Sequence, residues 1–328
     1  MTGLKLTLGC GWYDRIEPLR NSVIVPEGIE LSVETVEEPR ALFDRLMRDE
    51  VFDLAEFSVS EYVTLTSRGG SPFVALPVYT SRAFRHSFIC INTGAGIRSP
   101  KDLEGRRIGV PLHTMSAAIW CRGLLREEYG VDLSGVTWVE GAMGQGGTHG
   151  ALKLHQLSKP TRIQYNDSGL SLTELLERGD IDATLGALMP TSFGASSRIA
   201  RLFHDYRATE IASYRASGVH PIMHLIVIRR SVLKRHPWVA ASLTKAFRQA
   251  KELALHRLFY TGAPRSMLPM LHAEVEETQA IFGKDPWPDG VAANRPTLDR
   301  LLTYMMEDGI ITRRPSYEEL FPSADQDL

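Results

Sequence analysis

Residues 80–92 read TSRAFRHSFICIN, which sets Arg82, Arg85 and His86 directly ahead of the apolar run Phe88, Ile89, Cys90 and Ile91. A guanidinium can hold a carboxylate through two parallel hydrogen bonds, and an imidazole moves protons near neutral pH because its ordinary pKa is about 6.5. The cluster suits anion recognition with proton transfer beside it. The plainer alternative is that the arginines pair with surface acids while His86 closes a strand end.

Other spacings are less directive. His220 and His224 in HPIMH are four apart, as two zinc ligands on a helix would be, but Pro221 and the following LIVI predict entry into a strand. Without HExxH, a paired CxxC or an acidic cluster, a histidine acting as acid or base fits better than a metal ligand, and a satisfied structural histidine competes with both. GAMGQGGTHG lacks the spacing and the Lys-Ser/Thr ending of a phosphate loop, so it reads as a mobile loop rather than a nucleotide site. No Gly-x-Ser-x-Gly elbow supports a hydrolase.

The elements that must position these residues alternate in type. LKLTL, IELSV, FDLAEF, FVALPV and SFICI read as strands, and PRALFDRLMRDE as a helix with Leu42, Phe43, Leu46 and Met47 at helical spacing. A second α/β unit opens at SPKDLEGRRIGVP, with Ser99 as N-cap and Pro100 at N1, and continues into a helix over 114–128 stopped by Gly130. Ser171 and Glu174 form a capping box for SLTELLERG. MHLIVIRR is a further apolar strand, followed by a long helix starting near Pro237. At 328 residues the chain exceeds the roughly 250–300 at which single cores stop growing, so two lobes are expected. Residues 1–92 with 226–328 would form one lobe and 93–225 the other, joined by SFICIN going out and MHLIVI coming back, with a ligand cleft between them.

A net charge of -2, from 37 basic and 39 acidic residues, argues against a nucleic-acid or membrane-surface partner. Cys10, Cys90 and Cys121 are odd in number and widely spaced, which fits reduced thiols. With no signal-peptide core in MTGLKLTLGCGWYDR and no long apolar segment, a cytoplasmic location is expected.

The segments VFDLAEFSVSEY, PVYTSRAFRHSFICIN, GIRSPKDLEGRRIGVP, GDIDATLGALMPTSF, GVHPIMHLIVIRRSV and the closing YEELF resemble the 4,5-dihydroxyphthalate decarboxylase family, cytoplasmic relatives of type II periplasmic binding proteins. The resemblance spans nearly the whole chain and is most specific around SRAFRHS and PIMH. It implies an α/β, two-lobed type II periplasmic-binding-protein-like fold with two hinge strands and a central cleft. It also implies loss of CO2 from a hydroxylated aromatic dicarboxylate without a cofactor, and a homo-oligomer. Three stretches depart from the family pattern: Pro111 to Ala117 where P-E-Y-x-M-T-A is expected, GAMGQGGTHG, and Asp289 in place of a tyrosine after Trp287 and Pro288. The ring substituents of the substrate therefore stay open.

In such a fold, cleft residues come from the carboxyl ends of strands and the starts of the following helices. That selects Tyr13, Asp14 and Arg15; Glu56, Ser58 and Ser60; Ser81 with Arg82, Arg85 and His86; and His113, Thr114 and Ser116, where capping by Thr114 is the alternative to ligand contact. Arg82 and Arg85 are the expected carboxylate clamps, His86 and His224 the proton-transfer pair, and His113, Ser58 or Ser116 the groups orienting hydroxyls. Glu56 or Asp14 could supply the acid instead. A non-catalytic cytoplasmic binder of an aromatic carboxylate is the competing function, and a thiamine-precursor enzyme of the same superfamily is disfavoured by the lack of a cysteine-rich run.

Overall fold

Alternation of buried and exposed residues sets the first sheet. In the computed structural model, which describes residues 3–48, 51–150 and 157–322, strand β1 (Leu4–Cys10) buries Leu6, Leu8 and Cys10 while Lys5 and Thr7 face out. Its neighbours complete the order β2-β1-β3-β11-β4, with β2 (Ile29–Thr35), β3 (Leu54–Ser58), β11 (Ile222–Arg229) and β4 (Phe73–Arg82). β1 runs parallel to β2 and β3, and β11 is antiparallel to β3. Helix Pro39–Arg48 buries Leu42, Phe43 and Leu46 along one stripe. It packs close to the sheet: a Cβ on Gly9 would lie 2.8 Å from Leu42 and Phe52 atoms.

The second sheet follows the order β10-β5-β9-β6-β7-β8, comprising β10 (Ile199–Arg201), β5 (Cys90–Asn92), β9 (Ala183–Thr184), β6 (Arg107–Val110), β7 (Thr137–Glu140) and β8 (Ile163–Tyr165). Its core joins Ile108, Val110 and Ala183 to Ala118, Cys121 and Leu125 of helix Ser116–Tyr129. That helix ends on Gly130 at φ 60°, a left-handed position open to glycine at no steric cost. Ser171 and Glu174 close the expected capping box.

The chain divides into unit 1 (Met1–Ser81, His224–Arg295, Pro315–Leu328) and unit 2 (Arg82–Met223, Pro296–Arg314). This differs from the expected boundaries in three places, the smallest being the return, which falls between Met223 and His224 rather than after residue 225. The outgoing passage lies between Ser81 and Arg82 at the end of β4, because Cys90–Asn92 of SFICIN pairs inside the second sheet with β9 and β10. Residues 296–314 join unit 2 rather than unit 1, because Tyr304 packs on Trp120 at 5.7 Å and Asp308 accepts from Arg122 and Arg126. The helix expected over 114–128 begins at Ser116 with Met115 at the N-cap, so Thr114 is not its cap.

Candidate functional site

Strand geometry builds one polar group in unit 1. Glu56 and Ser58 lie two apart on β3 and share a face. On β11, His224 stands opposite Ser58, and so is the diagonal neighbour of Glu56. His224 Nδ1 lies 2.7 Å from Glu56 Oε1. The Tyr13 hydroxyl donates to the same oxygen at 2.7 Å, while Oε2 accepts from the Gly11 N–H at 2.9 Å and faces Cys10 Sγ at 3.5 Å. A Cβ on residue 11 would sit 2.9 Å from the Tyr13 ring, so glycine permits this approach of the backbone.

Burial pushes the Glu56 carboxyl up, but the hydrogen bonds and charge of His224, the Gly11 amide and the Tyr13 hydroxyl outweigh it and hold the group at about 2. An ionised carboxylate only accepts, so Nδ1 of His224 carries a proton. Nε2 has no hydrogen-bond partner among the described residues, and the side chain keeps 17% of its exposure. Phe43 meets the imidazole edge-on at 5.0 Å. This is a histidine fixed in tautomer and orientation by a buried carboxylate, an arrangement suited to taking or giving a proton at Nε2.

Beside it lies a pair that the sequence reading passed over. Arg40 Nη1 donates to the buried Glu61 at 2.7 Å, with Asp44 2.8 Å from Nη2. The i, i+4 spacing of Arg40 and Asp44 was a readable signal; the partner twenty-one residues away was not.

The remaining expected residues of unit 1 do other work. Asp14 is exposed and accepts from Arg15, whose guanidinium lies between the Tyr13 and Trp287 rings at 4.2 and 4.4 Å and donates to the Thr80 carbonyl. Ser58 and Ser60 hydroxyls meet at 3.1 Å, and Ser81 is the last residue of the unit's first segment. Asp289 pairs with the largely buried Lys251 at 3.1 Å.

In unit 2 the basic cluster separates. Arg82 donates to the His220 carbonyl at 3.1 Å. Arg85 is 5% exposed, lies 4.7 Å from the Phe88 ring and reaches the Gly186 carbonyl at 3.4 Å, with no carboxylate in an ion pair among the described residues. Burial lowers its pKa to about 10, so it stays charged at neutral pH. His86 points instead at Glu128, near the end of helix Ser116–Tyr129, at 3.1 Å, with Phe203 and Tyr129 edge-on to its ring. Ser116 begins that helix, about 18 Å away along twelve residues of rise. His113 turns its ring to Trp138 at 5.3 Å, and burial together with Arg122 and Arg126 holds its pKa well below the usual histidine range. Its backbone N–H donates to Glu140. Thr114 and Ser116 are buried at the start of the helix. The His220 ring stacks on Phe84 at 4.8 Å, and β11 begins at Ile222, so the HPIMH spacing is not helical.

The stretch GAMGQGGTHG is irregular chain tied by Ala142 N–H to the Gly147 carbonyl; residues 151–156, part of the connection that follows, lie outside the described residues. Among the described residues no three of His, Cys, Asp or Glu are grouped to hold a metal ion, and no helix is long and apolar enough to cross a membrane.

Fold and site define a class, the type II periplasmic-binding-protein-like α/β proteins. Residues 13–185 match the family model described as ABC transporter, phosphonate, periplasmic substrate-binding protein. Solved structures of the same fold include the sulfonate-binding protein SsuA from Methylobacillus flagellatus KT (12% identity, 98% of this chain and 92% of that one, TM-score 0.57) and the aliphatic sulphonate binding protein SsuA from Escherichia coli (10% identity, 97% of each, TM-score 0.52). The chain belongs to the 4,5-dihydroxyphthalate decarboxylase family. It is 34% identical over 325 residues to the protein of that name from Comamonas testosteroni, covering 99% of this chain and 98% of the relative. A second protein of that name, from Pseudomonas putida, is 34% identical over 217 residues, 66% of this chain and 83% of the relative.

Proposed function

We propose that the protein is a decarboxylase of hydroxylated aromatic dicarboxylates, with 4,5-dihydroxyphthalate as substrate and protocatechuate as product, and that His224 moves the proton. The observation that carries the reading is the 2.7 Å contact between His224 Nδ1 and a buried carboxylate held ionised. The names of the two relatives support the substrate.

Each carboxylate of this substrate is para to a hydroxyl. Deprotonation of that hydroxyl pushes an electron pair into the ring, and the ipso carbon takes a proton from His224 Nε2. The carbon–carbon bond then breaks, its electron pair restores the aromatic ring, and CO2 leaves. The phenolate regains a proton, so one proton is consumed overall. The ring supplies its own electron sink. Glu56 stabilises the imidazolium that holds the proton before transfer and keeps Nε2 aimed.

Among the groups of unit 2, Arg85 has the chemistry to hold a carboxylate, being buried and charged with no carboxylate at ion-pair distance among the described residues. Clamping the departing carboxylate equally firmly would slow its loss. Three buried free thiols, Cys10, Cys90 and Cys121, support a reducing, cytoplasmic compartment, which cell fractionation of the host would check.

The deciding experiment supplies purified protein with 4,5-dihydroxyphthalate and follows CO2 release and the ultraviolet spectrum. Stoichiometric CO2 and protocatechuate are expected. Tight binding of the diacid with no turnover would overturn the catalytic reading in favour of a binding protein.

A further inference from the structure

His224 has a second buried acid nearby besides Glu56. In the register of β11 against β3 the histidine stands opposite Ser58, and helix Val59–Ser67 begins at the next residue. Glu61 therefore lies in the first turn beyond that pair. With Ser58 at the N-cap, it holds the N3 position, where an acid commonly bonds back to the cap amide and steadies the helix. Its carboxylate, in a residue only 3% exposed, takes the Arg40 guanidinium at 2.7 Å instead.

Helix Pro39–Arg48 brings that guanidinium to the imidazole. Arg40 lies 5.4 Å from the Phe43 ring, and the same ring meets His224 edge-on at 5.0 Å. The other charged groups of this part of unit 1 are matched one to one: Asp44 with the exposed Arg48 at 3.0 Å as well as with Arg40, and Asp14 with Arg15 at 3.2 Å, the latter stacked on Tyr13. Burial, then the charge of Glu56, pushes the Cys10 thiol and the Tyr13 phenol up, so both stay neutral. An imidazolium at His224 is the cation that completes the set, facing Glu56, provided that Arg40 is balanced by Glu61.

The two acids are coupled to the same ring. Burial pushes the Glu61 carboxyl up, against the charge and hydrogen bond of Arg40 and, more weakly, the charge of His224. Such coupling is reciprocal: a cation that favours the ionised acid is itself favoured by it. Without the charge of Glu61, the imidazolium would face an uncompensated guanidinium across the Phe43 ring.

We infer that Glu61 is a positioning residue for proton transfer: by neutralising Arg40 beside the imidazole, its carboxylate keeps His224 in the protonated form that delivers a proton to the ring carbon. This rests on the reading of His224 as the proton carrier.

The test uses the full chain with Glu61→Gln, which keeps the shape and an oxygen for Arg40 but removes the charge, and Glu61→Asp, which keeps the charge. An acid catalyst must be protonated, so kcat falls as pH rises through the titration of the imidazolium. Glu61→Gln is expected to move this limb at least about half a pH unit lower, a factor of about three in the proton equilibrium, while Glu61→Asp stays near the wild type. Substrate affinity should change less than twofold in both. NMR of the His224 ring without substrate, assigned against His224→Gln, should show the same displacement in Glu61→Gln. If the ring titration moves in a protein that turns over no 4,5-dihydroxyphthalate, the reaction falls while the coupling of Glu61 to His224 stands. A ring titration left in place, or equal losses of kcat in the two variants with no displacement of the limb, would overturn the inference and make Glu61 a structural partner of Arg40. Should Glu61→Gln not fold, the coupling is read in reverse: His224→Gln is expected to raise the pH at which the Glu61 carboxyl carbon titrates, and no change there would overturn it equally.

Discussion

His224 and Glu56 are 168 residues apart in sequence, yet Nδ1 of one lies 2.7 Å from Oε1 of the other because β11 returns antiparallel beside β3. The contact fixes which nitrogen holds a proton. His224→Gln is expected to lower kcat at least 100-fold with less than threefold change in substrate affinity, since acid–base catalysis contributes about 10²–10⁴-fold. Glu56→Gln should lower kcat comparably while leaving the fold intact. Steady-state kinetics paired with direct binding separates the two parameters, and a loss confined to affinity would count against proton transfer at His224.

Tyr13 tests how the carboxylate is held. Glu56 has a folded pKa of about 2 against an ordinary 4.5. A depressed acid contributes stability that is complete above the unfolded pKa and disappears as pH falls toward the folded one, here from about 4.5 down to about 2. Removing the hydroxyl in Tyr13→Phe deletes a bond to a charged group worth about 1.5–3 kcal/mol and raises the Glu56 pKa. Acid unfolding followed by circular dichroism should therefore begin at higher pH in the variant. Identical acid midpoints would mean that Tyr13 does not sustain the ionised form.

Arg85 separates binding from stability. A buried guanidinium with no carboxylate at ion-pair distance costs desolvation that the more distant charge of Glu210 returns only in part. Arg85→Met should leave the melting temperature unchanged or raised by about 1–3 °C, as removal of that cost implies. The same variant should bind phthalate at least tenfold more weakly. Lower stability with unaltered phthalate binding would assign Arg85 to the fold.

Local patterns carried much of this structure. The alternation in LKLTL, the Ser171 and Glu174 box and the stop at Gly130 are effects of neighbouring residues, and each element forms where those neighbours direct it. The pairing of Glu56 with His224 depends on which strands lie side by side, which spacing does not encode. Arg85 and His86 looked like one cluster because they are adjacent, but a 3-10 turn starting at His86 sends that ring to Glu128 while Arg85 turns to Gly186. Adjacent side chains on a bent segment have no reason to share a target. His113 was misplaced for a related reason: its backbone leads into helix Ser116–Tyr129, whereas its ring faces Trp138.

The same ring predicts a pH effect on stability. Burial, then the charges of Arg122 and Arg126, hold His113 neutral well below pH 6.5. The unfolded chain takes up a proton below pH 6.5 that the folded chain refuses, so the native state loses stability as pH drops, by up to about 1.4 kcal/mol per unit. Urea unfolding at pH 7.5 and 5.5 should show a larger loss for the wild type than for His113→Gln. Equal losses would mean that the folded protein protonates His113 as readily as the unfolded chain.

Gly123 reports on the attachment of residues 296–314 to unit 2. A Cβ at this position would overlap the Tyr304 ring, whose hydroxyl donates to Glu127 and which meets Trp120 in an edge-type contact. Neither the ring nor the helix beneath it can give way by that much without repacking, and overpacking of this kind costs about 1–3 kcal/mol. Gly123→Ala should lower stability by that amount and speed amide exchange in helix Arg295–Glu307, where the displaced ring is carried. Tyr304→Phe, which keeps the packing and removes only the hydroxyl, should leave exchange in that helix near the wild-type rate. Fast exchange in both variants would shift the attachment from ring packing to the Glu127 bond, and slow exchange in both would leave the Arg122 and Arg126 pairs with Asp308 as the bonds that hold it.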